Sequence, residues 1–124
     1  MKIKNVYISI LFIILSSCSK TFITNVKHVI ESRDINNETN IEVRGYIFIE
    51  EMNLIKLYSD KNSNIFIDVI IGESIQFDET LKQNKYYCVD ISGLFQSYDN
   101  DVIVKMNLYS DYGLIIVKKL TRCT

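Results

Sequence analysis

Few residues of this 124-residue chain could do chemistry, and they are scattered. His28 is its one histidine. No Ser, Cys or Asp stands at a spacing that marks a proton-relay partner for it, so a surface position on a helix accounts for it. Glu50 and Glu51 are neighbours at the end of a strand pattern. Successive strand side chains point to opposite faces, so these two carboxylates form no acid–base pair. Asp99 and Asp101 flank Asn100 in QSYDNDV, an oxygen-rich spacing of the kind a cation loop uses. The glycine and terminal glutamate of a calcium loop are missing, and a solvated turn is the simpler reading. The three cysteines, Cys18, Cys88 and Cys123, have no CxxC or HxxxH companion, which argues against zinc. The residues therefore predict no enzyme, no metal and no cofactor.

The elements around these residues belong to one small domain. Hydrophobic content of 48% and charged content of 23% are those of a globular chain. The chain holds 14 basic and 15 acidic side chains. Without residues 1–17, which carry Lys2 and Lys4, 12 basic face 15 acidic, a net charge of about −3. An acidic body is a poor partner for phosphate backbones, whose affinity comes from neutralising cations, so nucleic acid is not favoured.

The N-terminus carries an address. Lys2 and Lys4 precede an apolar run, VYISILFIIL (6–15), which small residues Ser16 and Ser17 close. That is the layout of a secretory signal. A run of ten residues falls short of the ~20 needed to span a bilayer. The run is apolar on every face except at Ser9, which excludes an amphipathic core helix. LSSC (15–18) resembles the lipobox of bacterial lipoproteins, in which the signal is cleaved before the cysteine and the thiol is acylated. The resemblance implies a signal peptide over 1–17 and a lipidated Cys18 as first residue of the mature chain. It also implies a membrane partner held through the N-terminal lipid anchor, in the bacterial cell envelope. Ser19 in place of Asp after the cysteine implies the outer membrane.

With Cys18 acylated, Cys88 and Cys123 remain. In an oxidising compartment a disulfide is the first hypothesis, closing a 35-position loop and tying down the C-terminus. Two unpaired thiols are the alternative.

Along the mature chain, residues 18–25 read as a tether and 26–124 as the domain. Val26, Val29 and Ile30 in NVKHVIESRDI have helical spacing, and NNETN (36–40) ends that helix. The period then changes to two. IEVRGYIFIE alternates Ile41, Val43, Gly45, Ile47 and Ile49 with Glu42, Arg44, Tyr46, Phe48 and Glu50, a half-buried strand. Gly45 predicts a bulge or bend. NLIKLYS and IFIDVII follow as strands, the second with Ile65, Ile67, Val69 and Ile71 on one face. FDETLKQ (77–83) predicts a short helix capped by Asp78. KYYCVDISGLFQSY is a fourth strand with a bend at Gly93, VIVKMNLY a further extended piece and YGLIIVKKL the closing strand. LYSDYG predicts a hairpin turn with Gly113 at positive φ.

The expected architecture is mainly β: a small five- to six-stranded Greek-key barrel with a short N-terminal helix and a helical connection between its third and fourth strands. VKHVIESRDINNETNIEVRGYI resembles the opening helix, turn and first strand of bacterial OB-fold domains. YCVDISGLF resembles their fourth strand and SDYGLIIVKKL their last, so the resemblance spans most of 25–123. It implies a small OB-fold lipoprotein, of a kind mostly without assigned activity, and lacking the basic groove of nucleic-acid-binding relatives.

In OB domains the outer face of the second and third strands, with the adjoining loops, holds the ligand. With odd-numbered residues inward, Tyr46, Phe48, Tyr58 and Phe66 point outward on adjacent strands, with Arg44, Lys56 and Asp68 among them. Tyr46, Phe48, Lys56, Tyr58, Phe66 and Asp68 therefore form the candidate binding surface, for a protein, peptide or glycan. The alternative is that the helix and the 96–112 segment cover these rings. As a function the chain reads as an envelope binding or interaction module. An inhibitor or immunity-type protein blocking an enzyme or toxin is the alternative, and oligonucleotide or glycan binding a third.

Overall fold

The computed structural model describes residues 23–51, 54–72, 80–99 and 110–123. The signal segment, Cys18, the Asp78 cap, Asn100, Asp101 and the VIVKMNLY strand lie outside these residues.

The expected N-terminal helix forms as two short pieces, α1 (Val26–Glu31) and α2 (Arg33–Asn36). Asn25 caps α1, its side-chain oxygen accepting the His28 N–H at 2.8 Å. Such a cap satisfies a helix-end donor that otherwise has no partner. Val26, Val29 and Ile30 form the buried face of α1, as their spacing requires. Ahead of α1, Thr24 and Asn25 form a two-residue strand β1, parallel to Val43 and Arg44. The end of the expected tether is thus already part of the sheet.

Five strands follow: β2 (Thr39–Glu51), β3 (Leu54–Tyr58), β4 (Phe66–Ile71), β5 (Tyr86–Ser97) and β6 (Gly113–Arg122). β2 pairs with β3, β3 with β4, β4 with β6, β6 with β5, and β5 again with β2. The circuit closes into a five-stranded mixed barrel with β1 as an added strand. The β4–β6 pair is parallel and the other barrel pairs are antiparallel. Closure leaves no long open edge. The thirteen residues of β2 make this possible, because 39–48 pair with β5 while 46–51 pair with β3.

The inward alternation holds. Val43, Ile47, Ile49, Ile55, Leu57, Ile67, Val69, Val89, Ile91, Phe95, Ile115 and Val117 fill the interior, joined by the α1 residues and Leu81. Each such aliphatic chain contributes about 1.5–3 kcal/mol on burial. Phe95, fully buried, is the largest of them, and Phe95→Ala should cost about 3–5 kcal/mol.

Three local expectations are corrected. Gly45 makes no bulge: β2 stays in register with β5 through it, and the irregularity in β2 falls between Ile49 and Glu51. A Cβ at Gly45 would sit 2.6 Å from the Tyr58 carbonyl oxygen, so the glycine serves a close strand approach. Gly113 does not have positive φ. It opens β6, where a Cβ would meet the Gln96 carbonyl at 2.5 Å and the Phe95 ring at 2.8 Å. The expected helix FDETLKQ is absent over its described part, where Thr80–Gln83 is turn and coil. Leu81 is drawn into the core, and Asn84, at φ 61°, donates its N–H to the Ile49 carbonyl. Tertiary burial of one side chain overrides weak helical propensity here. The Gly93 expectation holds: the β5–β6 register shifts between Ser92 and Gly93.

Cys88 and Cys123 are bridged, with S–S 2.06 Å and Cα–Cα 5.3 Å. The bond joins β5 to the residue that follows β6, and the Cys123 N–H also donates to the Cys88 carbonyl.

Candidate binding face

Even-numbered side chains of β2, β3, β4 and β5 point out of the barrel, and the register sets them in two cross-strand rows. One row runs Cys88, Tyr46, Tyr58, Phe66. The next runs Tyr86, Phe48, Lys56, Asp68. The rings meet along and across these rows: Phe48–Tyr86 centroids are 4.6 Å apart, Tyr58–Phe66 5.2 Å and Tyr58–Tyr86 5.7 Å. Tilted and edge-on pairs of this kind add about 0.5–1.5 kcal/mol beyond area burial. The four rings thus form one connected strip, with Tyr46 beside Tyr58. Tyr46, Phe48, Tyr58 and Phe66 are half-buried, and Tyr86 is 39% exposed.

Cations stand over the strip. Lys56 Nζ lies 4.9 Å from the Phe66 centroid and Lys61 Nζ 5.5 Å from that of Tyr46. Lys56 also donates to Glu50 at 2.8 Å. Its partial burial opposes the charged form, but Glu50 and the nearby Tyr58 and Asp68 outweigh this and hold its pKa above the ordinary lysine value. Burial raises the pKa of Tyr58, with Lys56 working against it. Both side chains therefore keep their protons at neutral pH, so Tyr58 presents a neutral hydroxyl and Lys56 a charged ammonium.

Asp68 departs from the expected surface. It points out of the barrel, as predicted, but is only 2% exposed. Its carboxylate accepts from the Tyr98 hydroxyl at 2.7 Å and the Ser110 N–H at 2.9 Å. Ser110 Oγ donates to the Phe66 carbonyl at 2.7 Å, and the Tyr98 N–H donates to the Tyr112 carbonyl. The two ends of the β5–β6 connection are thereby pinned over the outer side of β4. Burial, then the bond to Asp68, pushes the Tyr98 phenol far above its ordinary pKa. Asp68 is a structural anchor at the border of the face. Tyr98 and Ser110, described residues of the 96–112 segment, cover this carboxylate, and Tyr46, Phe48, Tyr58 and Phe66 are half-buried.

Arg44 forms a paired-oxygen ion pair with Asp90, at 2.7 and 2.9 Å. Hydrogen bonding from Arg44 lowers the Asp90 pKa, and the same bond raises that of Arg44. Asp99, read as a turn residue, pairs with Arg33 of α2. His28 is exposed on α1. Tyr86 was missed in the sequence. The outward alternation of KYYCVDI names it, but its place beside Phe48 depends on the β2–β5 pairing that closes the barrel.

No protein-family model matches the chain, and no curated protein matches it.

Proposed function

We propose that this chain is a lipid-anchored cell-envelope protein whose barrel is an OB-type binding module, taking a peptide or glycan partner on the Tyr46, Phe48, Tyr58, Phe66 and Tyr86 face. The observation that carries the reading is the connected, half-exposed aromatic strip with Lys56 and Lys61 over its rings. Rings of this kind supply apolar area at low entropic cost, and the hydroxyls and ammonium groups supply orientation. The strand circuit and the parallel β4–β6 pair within the barrel support the OB assignment. The LSSC motif after an apolar run supports anchoring through Cys18, and Ser19 supports the outer membrane.

The test uses the full chain, purified in detergent and passed over immobilised cell-wall glycan fragments and peptide libraries. Retention should fall about tenfold or more in Tyr58→Ala/Phe66→Ala/Tyr86→Ala while unfolding stays cooperative. Retention unchanged by these substitutions overturns the face. One stoichiometric enzyme or toxin partner would replace the module with an inhibitor, and salt-sensitive retention of single-stranded DNA would replace it with an oligonucleotide binder. The mass of the N-terminal peptide from bacterial membranes should show an acylated Cys18; a free cysteine or a different cleavage point removes the anchor.

A further inference from the structure

The start of β2 is paired on one side. Residues 39–42 face β5 across that side, while β3 joins the other side of β2 only from Tyr46 and β1 joins it at Val43 and Arg44. Among the described residues, no strand pairs with the second side of 39–42. Alternate residues of a strand turn their backbone groups to opposite sides, so two of these four direct an N–H and a C=O at the open edge. A groove of about 450 Å³ lies here, lined by Thr24 of β1, by Asn40, Ile41 and Glu42 of β2, and by His28 and Lys118. Ile41 belongs to the inward set of β2 and packs against the core, yet it is only half-buried. Val43, Ile47 and Ile49 of the same set are fully buried. The open edge and the half-covered isoleucine coincide.

The chain enters the barrel at this same edge. β1 runs parallel to β2, with Thr24 beside Val43 and Asn25 beside Arg44. Ile23, just before β1, lines a groove together with Glu42, the position that the same register assigns to it. The sequence TFIT (21–24) consists of β-branched and aromatic residues, the types that favour strands.

We propose that residues 20–22 continue β1 along the open edge of β2, parallel and in the register of Thr24 with Val43. Phe22 then stands beside Ile41, Thr21 beside Asn40 and Lys20 beside Thr39. Register partners on neighbouring strands share a face, so the Phe22 ring covers Ile41 from the groove. The tether becomes a strand of the sheet, and Ser19 is the joint left between it and Cys18. One consequence rests on the acylation of Cys18 proposed above: the anchor sits at the Thr39 end of β2. The ring rows begin at Tyr46, about 23 Å further along at the rise of a strand, so the binding strip stands clear of the anchor.

Residue-resolved hydrogen exchange, read from peptic fragments of the full chain in detergent, tests the pairing. The two edge-facing amides of residues 39–42 should exchange about tenfold or more slowly in the native chain than in Phe22→Asp or Thr21→Pro. The first substitution removes the ring and the second a strand N–H, and the amides of Ile115 and Val117 should keep their rates in both. Equal exchange at the edge-facing amides in the native chain and both variants overturns the added strand. Protection that falls on dilution assigns the edge to a second copy, and protection that needs an added peptide assigns it to a foreign strand; either overturns the proposal. The same digest reports the mass on Cys18. An unmodified Cys18 with protected amides removes the anchor and leaves the strand, whereas an acylated Cys18 with unprotected amides removes the strand alone.

Discussion

Lys56 and Asp68 are cross-strand partners on β3 and β4, and both point out of the barrel. Lys56 stands at the rim of an open aromatic strip, whereas Asp68 is sealed beneath Tyr98 and Ser110. Two neighbouring positions with the same alternation therefore have opposite environments. Alternation sorts side chains between the inside and the outside of a barrel. Whether the outside is wet depends on what the connections lay over it. On one side of this border the surface is organised to be touched; on the other it is organised to hold a long connection in place.

Among substitutions that bear on this contrast, the largest effect should come from the bridge, where Cys88 neighbours Tyr46 in the first row. Cys88→Ala/Cys123→Ala closes no loop in the unfolded chain and should lose about 3–4 kcal/mol in urea unfolding. A loss near zero would show that the strip is held by packing alone. Next comes the sealed side. Asp68→Ala leaves the Tyr98 hydroxyl and the Ser110 N–H buried without their acceptor and should cost about 2–4 kcal/mol. If it costs less than Tyr58→Ala, the contrast between sealed and open sides fails. Tyr58→Ala and Phe66→Ala should each cost about 1–2 kcal/mol through ring contacts and partial burial, with a disproportionate loss of partner binding.

Two smaller effects are set by proton linkage. The raised pKa of Tyr98 means that the folded state holds this proton more tightly than the unfolded state does. That stabilisation is complete below the ordinary tyrosine value of about 10 and is lost as pH rises beyond it. The melting temperature of the native chain should therefore fall more steeply above pH 10 than that of Tyr98→Phe. Asp90 has the opposite sign. Its lowered pKa gives stability that is present above the ordinary aspartate value and fades as pH falls through the lowered one. Asp90→Asn should flatten that acid limb slightly, the pair with Arg44 being partly exposed.

The sequence made part of this contrast legible. The alternation of IEVRGYIFIE, NLIKLYS and IFIDVII placed Tyr46, Phe48, Tyr58 and Phe66 outside, and the structure keeps them there. It placed Asp68 outside as well, and nothing in IFIDVII distinguishes that carboxylate from a solvated one. Its partners lie 30 and 42 positions further on, at the two ends of a connection whose course no local pattern encodes. Tyr86 was hidden for a related reason, because β5 returns to β2 only when the barrel closes. The misread glycines follow suit. Gly45 and Gly113 answer to a neighbouring strand's carbonyl and to the Phe95 ring, not to turn geometry in their own segments.

By itself the sequence determined the five barrel strands and their inward faces, the helix that contributes Val26, Val29 and Ile30, and the availability of two cysteines for a bridge. These depend on periodicity and residue type, which act over a few residues. The tertiary structure alone decided the strand circuit, the bridge between Cys88 and Cys123, the meeting of Tyr86 with Phe48 and Tyr58, and the burial of Asp68. These are contacts between distant segments, and their energies exist only once the barrel has closed and brought the segments together.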